Sequence, residues 1–272
     1  MLQPIISVIT VVRNDYAGIA RTSLVMRPCV SASVEWIIVD GVSTDGSRSY
    51  AEGLQSDYIR FATREPRGIY DAMNYGASLA TGEWLWFINA GDILLTQSSM
   101  NRALDVLPPD REVVLVATPV IYRTRQDLYF SVTAIPCPES TQPRVARVHH
   151  QGALIRRQAF NSLQGFRTDL RWSADGEFLD RLVGLGRTLS VDEPLVGFKM
   201  GGASMTNFRQ ALIETNTFRP GYYSRHSRVI LTAKNRLITL MLVLECANFL
   251  RRPVTWYLLR RHDRVLRAYP SL

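Results

Sequence analysis

The chain has 272 residues, 46% of them apolar, and a net charge of +8. That suits one large or two small domains with a sizeable core. Its cysteines, Cys29, Cys137 and Cys246, are odd in number and scattered, which excludes a metal-binding spacing and points to free thiols in a reducing compartment.

Residues 5–12 (IISVITVV) are a continuous β-branched run, as in a buried strand. Arg13-Asn14-Asp15 ends it, and Asp15 is placed to cap a helix reaching about Met26. Residues 35–40 (EWIIVD) give a second buried strand ending on an acid. The polar turn 41–46 (GVSTDG) follows, where Ser43, Thr44 or Asp45 can cap the next helix. Residues 58–62 read as a third short strand. The stretch 64–92 (REPRGIYDAMNYGASLATGEWLWFINAGD) organises the rest. Ile69, Ala72, Met73, Gly76, Leu79 and Ala80 share one helical face, and Gly82 marks a stop. Residues 84–88 are a buried, aromatic-rich strand, and Asn89-Ala90-Gly91-Asp92 turns the chain. Strand and helix alternate with short polar joints. The pattern predicts an α/β fold with a mainly parallel sheet flanked by helices. Ligands bind at the carboxyl edge of such a sheet, where an acid serves as metal ligand or substrate clamp.

Beyond Asp92 the spacing predicts a helix over 98–107, stopped by Pro108-Pro109, then strands over 112–122 and 128–133. Residues 134–144 read as a proline-rich loop able to move over a site. His149-His150-Gln151 opens a short strand. Residues 173–184 (SADGEFLDRLVG) form a helix with an acidic start. Short strands follow at 189–191 and 195–200, then a flexible turn at 201–204.

The basicity is local. From Asn207 onward twelve Lys/Arg face three Asp/Glu, about +9, while residues 1–206 carry twenty basic and twenty-one acidic residues. This divides the chain into a body, 1–206, and a helical tail, 207–272. Segments 229–250 and 254–269 combine apolar and aromatic residues with arginines. The uncharged run 237–244 is too short to span a bilayer, which needs about 20 apolar residues. Two readings stand: helices lying on an anionic membrane surface, or a helical pair packed on the body with solvated arginines. Nucleic acid is disfavoured, because no binding motif accompanies the charge. No leader pattern is expected, since residues 4–12 begin at once as a strand.

Four pieces in order, ISVITVVRN, IIVDGVSTDG, EPRGIYDAMNYGASLATGEW and NAGD, resemble the nucleotide-sugar-binding half of the family 2 glycosyltransferases, with the GT-A fold. HHQGALIRRQAF, Gly165-Phe166 and SADGEFLDRL resemble that family's acceptor half. The resemblance is strongest to bacterial members that build surface polysaccharide. It implies an inverting transfer from a nucleotide-diphosphate sugar to a glycan or lipid-linked acceptor, at the cytoplasmic face of the membrane. It also implies roles by position. Val11 and Arg13 follow the first strand, where base and ribose bind. Asp40 accepts a hydrogen bond from the nucleotide. Arg67 and Asp71 lie in the segment closing over it. Asn89 and Asp92 occupy the acidic turn, with Asp92 on Mn²⁺ or Mg²⁺. His150 and Gln151 lie near diphosphate and acceptor, and Asp175 matches the catalytic base.

Two departures stand out. Many members carry two or three aspartates at the turn, whereas only Asp92 is charged here. Met73 also replaces a frequent arginine. A single carboxylate still suffices for a metal that takes most of its ligands from phosphate and water. The turn, cap and helix-dipole roles of Asp92, Asp40 and Asp175 are the structural alternatives. A non-catalytic sugar-nucleotide-binding member of the fold fits the depleted turn. A two-carboxylate glycoside hydrolase has no use for the nucleotide motifs.

Overall fold

The structure, a computed structural model, describes residues 3–123, 129–132, 148–199 and 207–220. The expected mobile loop at 134–144, the turn at 201–204, and the tail segments 229–250 and 254–269 lie outside the described residues.

The first half follows the sequence pattern closely. β1 (Ile6–Val12), β2 (Val34–Asp40) and β3 (Ile59–Thr63) run parallel, joined by α1 (Tyr16–Met26) and α2 (Ser47–Glu52). α3 (Ile69–Leu79) then leads to β4 (Trp84–Phe87), which pairs parallel with β1 on its other side. β1, β2 and β4 are covered on both faces and buried along their whole length, so they read as mostly apolar runs rather than alternating ones, while β3 at the edge is partly exposed. Ile9, Val11, Ile37, Val39, Leu85 and Phe87 face one core layer; Ile6, Val8, Trp36, Ile38, Trp84 and Trp86 face the other. α3 lies close on the first layer because Gly76 has no side chain: a Cβ there would stand 2.6 Å from Ile9 Cγ2.

The second half departs from expectation. The run 112–122 is two strands in two sheets, β6 (Val113–Ala117) and β7 (Val120–Arg123). Pro119 lies between them and has no N–H to continue a ladder. β9 (Ala153–Arg156) inserts antiparallel between β4 and β6, and β10 (Arg187–Ser190) closes the edge. The seven-stranded order is β10-β6-β9-β4-β1-β2-β3. A smaller sheet has the order β5-β11-β7-β8, from β5 (Ile93–Leu94), β11 (Val196–Lys199), β7 and β8 (Tyr129–Val132). Its short β5 carries too little pattern to be read from sequence.

Three further helices complete the body: α4 (Ser98–Asp105), α5 (Arg157–Ser162) and α6 (Ala174–Leu185). α7 (Phe208–Phe218) begins just past the expected boundary at 206 and packs on α6: Arg219 after it pairs with Asp180 through both carboxylate oxygens. Among the described residues no helix is long and apolar enough to cross a membrane.

Candidate active site

The direction in which successive strands are added to the sheet reverses between β1 and β4. β2 and β3 are added on one side of β1, and β4 on the other. The loops after β1, β2 and β4 therefore surround one crevice at the carboxyl edge. Asn14, in a left-handed conformation (φ 50°), accepts the Thr44 N–H at 2.8 Å and ties the first two loops together. Asp15 caps α1, accepting the Gly18 N–H at 3.0 Å. Asp40 ends β2, fully buried. Its Oδ1 accepts the Ser43 N–H at 2.9 Å, and its Oδ2 has no partner among the described residues. A buried carboxylate oxygen left unpaired is costly and rare, and here it leaves one acceptor of Asp40 available at the crevice.

Other expected donor residues are placed differently. Val11 lies within β1 rather than after it, and its side chain is in the core beside Ile9 and Val39. It can serve a ligand only through its backbone, and its carbonyl already accepts the Ala90 N–H at 3.2 Å. Arg13 is exposed and lays its stem against Gly41. Arg67 is an exposed loop residue before α3. Asp71 is held by Arg64 through both oxygens, at 2.8 and 3.0 Å, and that guanidinium lowers its pKa. Met73, where the family often has arginine, is fully buried under α3.

Asp92 braces the turn from inside. It is 2% exposed. Oδ2 accepts the Asn89 N–H at 3.2 Å, and Oδ1 accepts the Lys199 N–H at 2.9 Å. Burial pushes its pKa up to about 6, against these amides, the field of His150 and a bond from the buried Gln151 side chain. Gln151 thus supports Asp92 rather than facing the crevice, and its carbonyl accepts the Trp86 indole N–H at 2.8 Å.

On the β4 side a hydrogen-bonded chain runs through Asn89, His150, Asp175 and Tyr70. His150 belongs to a single tight turn, His150–Gly152, ahead of β9 rather than to the strand itself. Its Nδ1 is 2.8 Å from Asp175 Oδ2, and the Tyr70 hydroxyl donates to Oδ1 at 2.9 Å. Burial raises the Asp175 pKa, but the His150 and Tyr70 bonds outweigh it and bring it down to about 2. That direction is opposite to what burial alone would give. An ionised Asp175 only accepts, so Nδ1 carries the proton. His150 Nε2 lies 3.3 Å from Asn89 Nδ2, which can donate to it while the imidazole is neutral. Asn89 Oδ1 is buried without a partner among the described residues. A half-turn of that amide lets Oδ1 accept from Nε2–H once the imidazole is protonated. The neighbouring His149 is half-buried, and desolvation pulls its pKa down.

The chain is held from below by aromatic packing. Phe166 contacts Tyr70, Phe87, Phe160 and Phe178 at centroid distances of 5.0–5.5 Å. Asn74 of α3 clamps the Phe166 backbone at 2.8 and 2.9 Å. The Gly165-Phe166 pair is therefore the hub that joins α3 to α6. Three residues that complete the site were not legible in the sequence. Tyr70 reads only as one more aromatic on a helix. Lys199 reads as the end of a short strand. Glu214 lies in a tail without motifs, yet from α7 it accepts the backbone N–H groups of Arg171, Trp172 and Ser173 at 2.7–3.1 Å.

A separate concavity of about 540 Å³ lies at the amino edge of the sheet, lined by Glu83, Arg156 and Arg157 among others. Arg156 and Arg157 there are spent on backbone carbonyls and Glu83, and the crevice chemistry is at the other end.

A mainly parallel sheet with this reversal, an acidic turn after its fourth strand and a small second sheet beside it define a GT-A glycosyltransferase fold. The profile of the family described as Glycosyl transferase family 2 matches residues 7–164, and the chain belongs to that family. An uncharacterized glycosyltransferase of Mycobacterium tuberculosis is 27% identical over 188 residues, 65% of this chain and 68% of its own. A PGL/p-HBAD biosynthesis glycosyltransferase of Mycobacterium bovis is 27% identical over 187 residues, 65% of this chain and 69% of its own. Among solved structures, the mannosyltransferase PcManGT of Pyrobaculum calidifontis, in complex with GDP-Man and Mn²⁺, superposes with a TM-score of 0.60 at 18% identity, over 98% of this chain and 82% of that one. S. aureus TarS 1–349 in complex with UDP gives 0.55 at 14%, over 78% of this chain. The chain spans 65% of that TarS chain. At these identities the solved structures establish the fold alone.

Proposed function

We propose that the protein transfers a sugar from a nucleotide-diphosphate donor to a glycan or lipid-linked acceptor, with inversion, in the assembly of a cell-surface glycan. The observation that carries this reading is one crevice with two different walls. Asp40 offers an unpartnered buried acceptor on the nucleotide side, and the Asn89–His150–Asp175–Tyr70 chain stands on the other.

The acceptor hydroxyl must lose a proton as it attacks. Asp175 alone is a weak proton acceptor, since both its oxygens are bonded and its pKa lies near 2. It works as one unit with His150. Asp175 fixes the imidazole, and the pair takes the proton late, when the attacking oxygen has become acidic. Tyr70 holds Asp175 ionised.

The family resemblance implies Mn²⁺ or Mg²⁺ at Asp92, and PcManGT is a GT-A neighbour described with Mn²⁺. The side chains at this turn do not fit such an ion as they stand. Asp92 is buried with an amide on each oxygen, and no group of three His, Cys, Asp or Glu among the described residues is arranged for a metal.

The M. bovis relative carries a glycolipid-biosynthesis name, and the basic, aromatic tail of this chain suits a bilayer surface. A lipid-linked acceptor at the cytoplasmic face is the reading both features support.

Calorimetry with UDP, GDP and dTDP, with and without Mn²⁺, tests the donor site. One nucleotide is expected to bind, and Asp175→Asn is expected to lower kcat by about 100-fold or more with nucleotide affinity kept. Absence of binding to all three favours a member of the fold that has lost the chemistry.

A further inference from the structure

Lys199 ends β11 against the turn after β4. Its N–H donates to Asp92 Oδ1 at 2.9 Å, which fixes its backbone there. Its side chain then crosses over the turn. A Cβ built on Gly91 would stand 2.3 Å from Lys199 Cδ and 3.2 Å from Nζ. Gly91 also has φ +94°, so the centre of this turn carries no side chain of its own and is covered by the lysine. Nζ ends 2.7 Å from Asp15 Oδ2. Asp15 belongs to the loop after β1 and Gly91 to the loop after β4. The ammonium therefore bridges the two loops between which the topology reverses, where the ligand of an open α/β sheet binds.

A diphosphate entering this crevice needs positive charge close to it. Asp92 offers none, and the turn has no second acid to recruit a cation. We propose that Lys199 is the resident counter-charge for the donor's diphosphate, and that it performs the neutralisation the family resemblance assigns to a divalent metal. This rests on the donor-site reading above. Asp15 parks the ammonium when no donor is bound. The pair is 40% and 32% exposed, so the flexible lysine stem can turn from the carboxylate to phosphate oxygens. In the transfer the bond between the anomeric carbon and the phosphate oxygen breaks, with its electron pair leaving on the diphosphate. The acceptor oxygen bonds the anomeric carbon, and its proton passes to the Asp175–His150 pair. Lys199 stabilises the charge that develops on the leaving group.

The test compares nucleoside diphosphate with monophosphate binding, in EDTA and in Mn²⁺, on the full chain. In EDTA the wild type is expected to prefer the diphosphate by about tenfold or more. Lys199→Met should erase that preference while keeping monophosphate affinity, and Lys199→Arg should retain most of it. A wild-type preference that appears only with Mn²⁺, or that survives in Lys199→Met, overturns the proposal and leaves the donor site standing. If no nucleotide binds under any condition, the donor-site reading falls and this inference falls with it.

Discussion

Glu214 gives the most direct test of how the site is held. Its carboxylate accepts three consecutive backbone N–H groups, from Arg171, Trp172 and Ser173, and the Ser173 hydroxyl at 3.1 Å. Those groups lead into α6, whose first turn presents Asp175. Removing the side chain in Glu214→Ala leaves all four donors to solvent. A hydrogen bond to a charged acceptor contributes about 1.5–3 kcal/mol when buried. Here the carboxylate is half-buried and water replaces part of the loss, so about 0.7 kcal/mol per donor is the better figure. With the favourable charge at a helix start, the total is about 3–4 kcal/mol. Glu214→Gln keeps one acceptor oxygen and loses the charge, for about half of that. At about 2–4 °C per kcal/mol for a chain of this size, Glu214→Ala should lower Tm by about 6–16 °C. Thermal and urea unfolding measure the loss, and steady-state transfer measures the site. In Glu214→Gln, kcat should fall several-fold with nucleotide affinity unchanged, because Asp175 shifts and the donor wall does not. A Tm change in Glu214→Ala below about 2 °C would refute the reasoning, since it would mean that α7 does not hold α6 in solution.

Asp92 predicts a pH effect of definite sign. Its folded pKa of about 6 lies above the ordinary 3.8, so its contribution to stability is fully present below about pH 4 and is lost as pH rises through 6. A shift of about two units corresponds to about 3 kcal/mol. Urea unfolding of Asp92→Asn from pH 4 to 7 should show that much less loss than wild type; an unchanged slope would place the carboxylate in a more solvated setting. The tail separates into a docked helix and the segment after it. Truncation after Pro220 should keep α7 and the fold while releasing the protein from anionic liposomes. Retention on the liposomes would assign membrane contact to the body, and loss of folding would favour packing of the tail.

The order of the first strands and helices, and the edge where the site forms, were written in the sequence. Continuous apolar runs between polar joints leave few alternatives for 5–92, and the acids Asp40 and Asp92 fall at strand ends by count alone. Local pattern ends where partners come from afar. β6 and β7 look like one strand, because the sequence shows Pro119 but not which sheet each half joins. Val11 and Asp92 stand at the right positions for ligand contact, yet packing turns the first into the core and the second into a brace. His150 and Asp175 are 25 residues apart, Tyr70 and Asp175 are 105, and Asp15 and Lys199 are 184. No periodicity relates such pairs. Hydrophobic spacing is a local property and fixes each element by itself. The charge partners of a site are fixed only when those elements pack, so the tertiary structure alone decided which acids were free to meet a substrate.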